Sequence, residues 1–350
     1  MATLLAVLMA FPAAKISAVQ TTGAEPLAIA RILAAKYPAQ PIMSYIPTLS
    51  WSSQMRLSEL TGEPQWREKA LKDMEPFISK KTPAVAEPYR LTSLAGALAF
   101  HDAWLFARDS GAQGIAQTTG MAIAPVMDPP APPGDEIRFR TGWTDDMFMV
   151  SSVLSRNGLA AHAGSVHRLL TAYASRLQRP DGLFIHAVDG PHPWGRGNGF
   201  ALLGITEALT YWPQSWAGRE DSLALYRKHV AALARHQSDD GSWRQVVDEP
   251  TSYKELTVTA MTVASMARGI RLGWIDHDTF APIINRGWAA VAARVNADGT
   301  VKDVCAGTGS GPTREYYLNR PVVNGADDRG GAMALLAAIE MEMFRRASPR

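Results

Sequence analysis

The sequence predicts an all-α protein, an (α/α)6 barrel of six helical hairpins, and three observations carry that expectation. Apolar residues recur with the 3.6-residue helical period over roughly a dozen segments after residue 26, and long alternating strands are lacking. Asp-Gly pairs at 181–182, 240–241 and 298–299, spaced 59 and 58 residues apart, each follow a helix-like segment and lead into a short extended stretch. A polar or glycine-bearing cluster then opens the next helix: WGRGNGF (194–200), SYKELTVTAM (252–261) and NGADDRGGAM (324–333). Hairpins of roughly 50 residues or more, closed into a double ring, bury every hairpin's apolar face. In such a ring the second helix of each pair lines the centre, and the loops before those helices converge on one mouth.

The elements follow in order. Residues 1–24 begin MATLLAVLMAFPAA, an apolar run of signal-peptide length that is too short to span a bilayer. No positive residues precede the run, and the small-residue sites around Ser17-Ala18-Val19 and Thr22-Gly23-Ala24 are imperfect. A cleaved export signal is the first expectation, placing the protein in the periplasm or outside the cell; a plain N-terminal helix or a misassigned start would leave it cytoplasmic. Residues 25–350 are expected to form one barrel domain. Helices are predicted to begin near Pro26, Leu49, Pro64, Thr92, Ala112, Trp143, Ala160, Gly197, Ser222, Glu255, Asp276 and Asp327. Breakers separate them at Thr61-Gly62, Asn157-Gly158, Pro180-Asp181-Gly182, Asp239-Asp240-Gly241 and Gly273. The Pro-rich stretch Met127 to Gly134 is linker-like, yet too short and too internal to divide two domains.

Composition removes several function classes. With 47% hydrophobic and 19% charged residues the chain has material for a large core. A net charge of +2 without a dense Lys/Arg run argues against nucleic acid as a partner. The lone Cys305 excludes an internal disulfide framework and a multi-cysteine metal site. No segment is apolar enough to be transmembrane, so no membrane partner is expected, and no His or Glu set has the spacing of a zinc or iron site.

Four ordered segments resemble a known family: TGWTDDMFM (141–149), RPDGLFIH followed by WGRGNGF (179–200), GSWRQVVDEPTSYKELTVTAM (241–261) and RGIRLGWID (268–276). Together, over about residues 50 to 345, they look like the unsaturated uronyl hydrolases, including the unsaturated rhamnogalacturonyl hydrolases of glycoside hydrolase families 105 and 88. The resemblance implies an (α/α)6 barrel without a cofactor. It also implies a substrate, an oligosaccharide left by a polysaccharide lyase with a 4,5-unsaturated uronic acid at its non-reducing end, and a reaction. In that family the aspartate of the W-x-D-x-[ML]-[FY]-M segment protonates C4 of the double bond, water adds at C5, and the hemiketal collapses to release the aglycone. That aspartate is Asp145 here. The chain departs from the family pattern twice: Leu91-Thr92-Ser93 stands where a second active-site aspartate is usual, and Gly134 to Arg140 contains no histidine.

An acid that protonates an enol ether carbon must hold its proton near working pH. Asp146 and the aromatic neighbours Trp143 and Phe148 push Asp145 that way, while a helix N-terminus favours the anion. The competing role for Asp145 is a simple helix cap. Asp146 is expected to be a cap or a supporting partner of the site. For the uronate, Arg196 offers a fork of donors, and Gly197 and Gly199 would let backbone N–H groups approach an anion; the plainer reading is a glycine-rich turn. Asn198 is a candidate sugar contact. Trp143, Trp194 and Trp243 flank the polar clusters and suit ring stacking, though tryptophan is equally a buried anchor. His186 is a candidate for bonding the uronate or holding water. Glu255 is expected to orient Arg196 or cap its helix, and Asp327-Asp328 to cap the last one.

Three other functions remain in view. A conventional glycosidase would pair Asp145 with Glu255 or Asp327 and act on saturated glycosides. A barrel epimerase would need histidine shuttles, and only His186 of the eight histidines lies in a rim motif. A catalytically silent carbohydrate-binding barrel would explain the two departures.

Overall fold

The computed structural model describes residues 25–123, 137–156 and 160–347. The N-terminal segment 1–24, the Pro-rich stretch 127–134 and the breaker at 157–158 therefore lie outside the described residues.

Proline opens the first hairpin, α1 (Pro26–Lys36) and α2 (Tyr45–Thr61). It also opens α3 (Pro64–Ile78), whose partner is split into α4 (Leu91–Leu94) and α5 (Ala97–Ala107). Proline suits a first helical turn, where its missing N–H has no intrahelical acceptor to lose. Then follow α6 (Ser110–Ile123) with α7 (Asp145–Leu154), α8 (Ala160–Leu177) with α9 (Gly195–Tyr211), α10 (Arg219–Arg235) with α11 (Leu256–Arg271), and α12 (His277–Ala292) with α14 (Asp328–Ala347). A one-turn helix, α13 (Arg314–Leu318), interrupts the last pair. Two short antiparallel hairpins lie in the loops: β1 (Trp243–Arg244) with β2 (Lys254–Glu255), and β3 (Val301–Cys305) with β4 (Val322–Gly325).

The second members pack side by side in the order α2, α5, α7, α9, α11, α14 and back to α2, so they form a closed inner ring. The first members pack on its outside, and the architecture is the expected (α/α)6 barrel. Inner helices are buried almost all round: residues 256–269 of α11 and 195–209 of α9 are buried without a break. A helix apolar on every side is a core helix.

The three Asp-Gly turns are one device used three times. In each the aspartate Oδ1 accepts from the N–H two residues on, Leu183, Ser242 and Thr300, at 3.0, 3.1 and 3.0 Å. The glycines adopt φ of 94°, 88° and 78°, a region that favours glycine. Each glycine also presses on the next outer helix. An added Cβ would lie 3.0 Å from Lys228 O of α10 at Gly182, 2.2 Å from Arg286 O of α12 at Gly241, and 3.3 Å from Ile32 O of α1 at Gly299. The third contact brings the chain's end back to its beginning and closes the outer ring.

At the end of the ring remote from the helix starts, every inner helix or its immediate C-terminal extension supplies one charge, buried in all but the half-buried Arg56, and the signs alternate. Arg56 of α2 faces Asp102 of α5 at 3.7 Å, and Asp102 faces Arg156, just beyond α7, at 3.3 Å. Arg156 pairs with Glu207 of α9, which pairs with Arg268 of α11 at 2.7 Å, which pairs with Glu340 of α14 at 2.5 Å. The field of Glu340 reaches Arg56 and completes the circle. Burial opposes the charge on Asp102, Glu207 and Glu340, yet the flanking guanidiniums hold all three carboxyls below their usual range. Arg268 and Arg271 belong to the RGIRLGWID segment, and both bond Glu340.

The predicted helix starts agree with the structure to within a few residues. The largest discrepancy is α2, expected from Leu49 but starting at Tyr45. Pro47 occupies the first turn of this helix, where proline costs no hydrogen bond.

Candidate active site

Asp145 is the first residue of α7 and only 6% exposed, at the end of the inner ring where the second helices begin. Its partner Asp146 is the anchor. Asp146 accepts hydrogen bonds from Thr141 N (2.7 Å), Gly142 N (2.8 Å), Thr141 Oγ1 (2.9 Å) and Tyr173 Oη (2.6 Å), which fixes the loop carrying Trp143. Burial outweighs these donors and pushes the Asp146 carboxyl up to about 6.

The Asp145 carboxyl is less engaged. Tyr45 Oη donates to Oδ1 at 3.3 Å, and Oδ2 stands 3.5 Å from His186 Nε2. Neither Oδ2 nor Nε2 has a hydrogen-bond partner among the described residues, although both are buried. Burial and the Asp145 charge push the Tyr45 hydroxyl well above its usual range. His186 sits in an aromatic enclosure, with ring centroids 5.2 Å from Trp143, 4.5 Å from Trp194 and 5.7 Å from Tyr317. Thr144 N donates to His186 O, tying the loop before α7 to the stretch after the first Asp-Gly turn. Trp143 is half-buried and borders a cleft of about 260 Å³ lined also by Tyr173, Arg176, Val188 and Asp189.

Several expectations are corrected here. Asn198 is fully buried and spends its amide on the backbone, accepting from Phe184 N and donating to Phe184 O and Trp194 O, so it presents nothing to a sugar. Trp243 is also fully buried, with Nε1 donating to Leu233 O at 2.7 Å; it is a core anchor rather than a stacking platform. Trp194, 1% exposed, is a wall behind His186 with no face open to a ring. Arg196 directs its two terminal nitrogens at Cys305 O (2.6 Å) and Ala306 O (2.8 Å), over the Trp194 ring. Its charge is felt at the Tyr45 hydroxyl, so it contributes positive potential rather than a free fork.

Gly197 and Gly199 serve close packing, not anion capture. A Cβ at Gly197 would lie 2.6 Å from Thr144 Oγ1, and one at Gly199 would lie 2.4 Å from Met261 Cε. Glu255 caps α11 by accepting from Val258 N at 2.8 Å, and it also accepts from Cys305 N at 2.9 Å. It thereby orients the peptide segment whose carbonyls hold Arg196. Asp327 caps α14 through Arg329 N and Gly330 N. Of the departure at Gly134 to Arg140, residues 137–140 are described; they place Phe139 against Tyr89, 5.8 Å between centroids. Thr92 and Ser93 lie in α4, which packs on α7 and α2.

Two site residues escaped sequence reasoning: Tyr45, hidden by the misplaced start of α2, and Tyr317, on a helix too short to show periodicity.

With this geometry in place, comparison with known proteins is informative. The family model described as Glycosyl Hydrolase Family 88 matches residues 38–345. The chain belongs to Glycosyl Hydrolase Family 88. Among curated relatives of this family 88 chain, the unsaturated 3S-rhamnoglycuronyl hydrolase of Alteromonas sp. (strain LOR) is 26% identical over 44% of this chain and 36% of its own length. The unsaturated rhamnogalacturonyl hydrolase YesR of Bacillus subtilis (strain 168) is 26% identical over 51% of this chain and 54% of its own. The matched stretches thus span about a third to a half of those relatives. A solved structure described as a possible member of the GH105 family, from Salmonella enterica serovar Paratyphi A, superposes with a TM-score of 0.80 at 16% identity, covering 92% of this chain and 94% of that one. That likeness shows that the chain shares that structure's barrel fold. Among the described residues no helix is long and apolar enough to cross a membrane.

Proposed function

We propose that this protein is a glycoside hydrolase that removes a terminal 4,5-unsaturated uronic acid from lyase-generated oligosaccharides, with Asp145 as the proton donor. One observation carries the reading: a buried carboxyl at the mouth of the inner ring, bonded on one oxygen by Tyr45 and facing His186 with the other. Membership of family 88 and the named activities of the two relatives support it. In the proposed reaction the Asp145 carboxyl passes its proton to C4 of the enol ether, and positive charge develops at C5. Water adds there and returns a proton to Asp145. The hemiketal then collapses, releasing the aglycone. Arg196 supplies positive potential for the uronate carboxylate, and the half-buried Trp143 offers the ring face at the entrance.

A conventional glycosidase needs a second free carboxyl flanking the bond. The two candidates are committed elsewhere: both Glu255 oxygens accept from Val258 N, Thr257 or Cys305 N, and both Asp327 oxygens accept from Arg329. The test is to incubate the protein with lyase digests of pectin, glycosaminoglycan and algal uronans, following ultraviolet absorbance and released sugars. Falling absorbance of the conjugated C4=C5 bond on at least one digest is expected. Inactivity on every digest with cleavage of a saturated glycoside would reverse the assignment, and inactivity on both would indicate a silent barrel.

A further inference from the structure

The imidazole of His186 faces Asp145 through Nε2, and what lies behind its other nitrogen decides what Nε2 can do. Nδ1 is 3.0 Å from Tyr317 Oη. That hydroxyl in turn accepts from Gly311 N at 3.3 Å, while the neighbouring Ser310 Oγ gives its own proton to Asp189 Oδ1 at 2.6 Å. Tyr317 also bonds Ser310, so its proton can go to His186 Nδ1 or to Ser310 Oγ, and the direction of the His186–Tyr317 bond is what sets the tautomer. The ring itself is clamped: Tyr317 is buried, its centroid 5.7 Å from His186 at an interplanar angle of 82°. Position 190 must be glycine for this to fit, since a Cβ there would lie 2.2 Å from Tyr317 Oη. A neutral imidazole carries one proton, and the bond made by one nitrogen sets the role of the other.

We propose that Tyr317 is a positioning residue for His186: by donating to Nδ1 it fixes the tautomer that carries its proton on Nε2, aimed at Asp145 Oδ2 and at a uronate bound beside it. This inference rests on the functional reading above. When Asp145 has given up its proton, Nε2–H is a donor next to the new carboxylate; in the opposite tautomer two lone pairs would face each other across 3.5 Å. The hydroxyl of a residue that touches no substrate thus acts through His186 on the state of the acid.

The test combines imidazole nitrogen NMR with kinetics on wild type and Tyr317→Phe, a change that keeps the ring and removes only the hydroxyl. His186 signals are assigned by their loss in His186→Gln. The wild-type ring is expected to be neutral with its proton on Nε2 at pH 8. In the variant that preference is lost, and kcat on a lyase product falls on the order of 10- to 100-fold with KM within about twofold, short of the loss from removing the acid itself. A wild-type proton on Nδ1, a doubly protonated ring, or a variant that keeps either the tautomer or full kcat would overturn the proposal. The wild-type spectrum decides the tautomer even where the variant does not fold. Because it needs no turnover, a wild type inactive on all lyase products would defeat the functional reading while the spectrum still decides Tyr317.

Discussion

Glu207→Gln tests the alternating charge circle at the far end of the barrel. Glu207 is 2% exposed and bonds both Arg156 and Arg268, so its amide replacement leaves two buried guanidiniums sharing too little negative charge. Breaking a buried ion pair by removing one partner costs about 3–5 kcal/mol, because the surviving charge stays desolvated. Unfolding entropy near the midpoint is about 2.1 cal/mol/K per residue, which for a chain of 350 residues gives ~0.7 kcal/mol/K. The expected fall in Tm is therefore about 4–7 °C, measured by calorimetry or circular dichroism. Arg67→Ala is the control. It breaks the exposed Arg67–Glu59 pair, is worth under about 1 kcal/mol, and should move Tm by no more than ~1–2 °C. Glu207 lies roughly 16 Å along α9 from Arg196, at 1.5 Å per residue, so the folded variant should keep the wild-type KM. A Tm change below about 1 °C, or one no larger than the control's, would refute the view that the circle holds the inner ring in register.

Three further outcomes follow from the site. Trp143→Ala should raise KM by about tenfold while changing Tm little, because its half-buried ring borders the open cleft; an unchanged KM would remove it from substrate contact. Trp243→Phe should do the reverse: KM constant and stability lower by about 0.5–1.5 kcal/mol, because Leu233 O loses the indole donor while keeping His236 N, and denaturant titration would show this. Burial pushes the Asp146 carboxyl up to about 6, above its unfolded value near 4, so the group's contribution to stability is fully present below about pH 4 and is lost as pH rises to about 6. Asp146→Asn should flatten the stability profile across that window, and a profile identical to wild type would show that Asp146 does not titrate there.

Much of this fold was legible because its signals are local. Helical periodicity, proline at Pro26 and Pro64, and the three Asp-Gly turns each depend on neighbours in sequence, and the structure keeps all of them. Legibility failed wherever a residue's role depends on a partner far along the chain. Trp143 and Trp243 look alike in sequence, each beside a polar cluster, but only Trp243 has a carbonyl of another helix, Leu233 O, waiting for its indole N–H. Gly197 and Gly199 read as an anion cradle because glycine beside arginine at a helix start favours one. Their actual use, letting α9 approach Thr144 and Met261, is invisible without the neighbouring helix. The single charges Asp102, Glu207 and Glu340 appear in the sequence only as interruptions of apolar stripes. Tyr45 and Tyr317 were missed for local reasons: a proline inside a first turn, and a helix of five residues.

The most direct test of the central claim is turnover by Asp145→Asn on whichever lyase product the wild type consumes, with binding measured separately by calorimetry. The amide keeps the shape of the side chain and removes its transferable proton. Absorbance loss should fall by at least 10²–10⁴-fold, the worth of a general acid, while the unsaturated oligosaccharide still binds within a few-fold of wild type. A variant that consumes the unsaturated uronate at close to the wild-type rate would show that the proton reaching C4 comes from some other group.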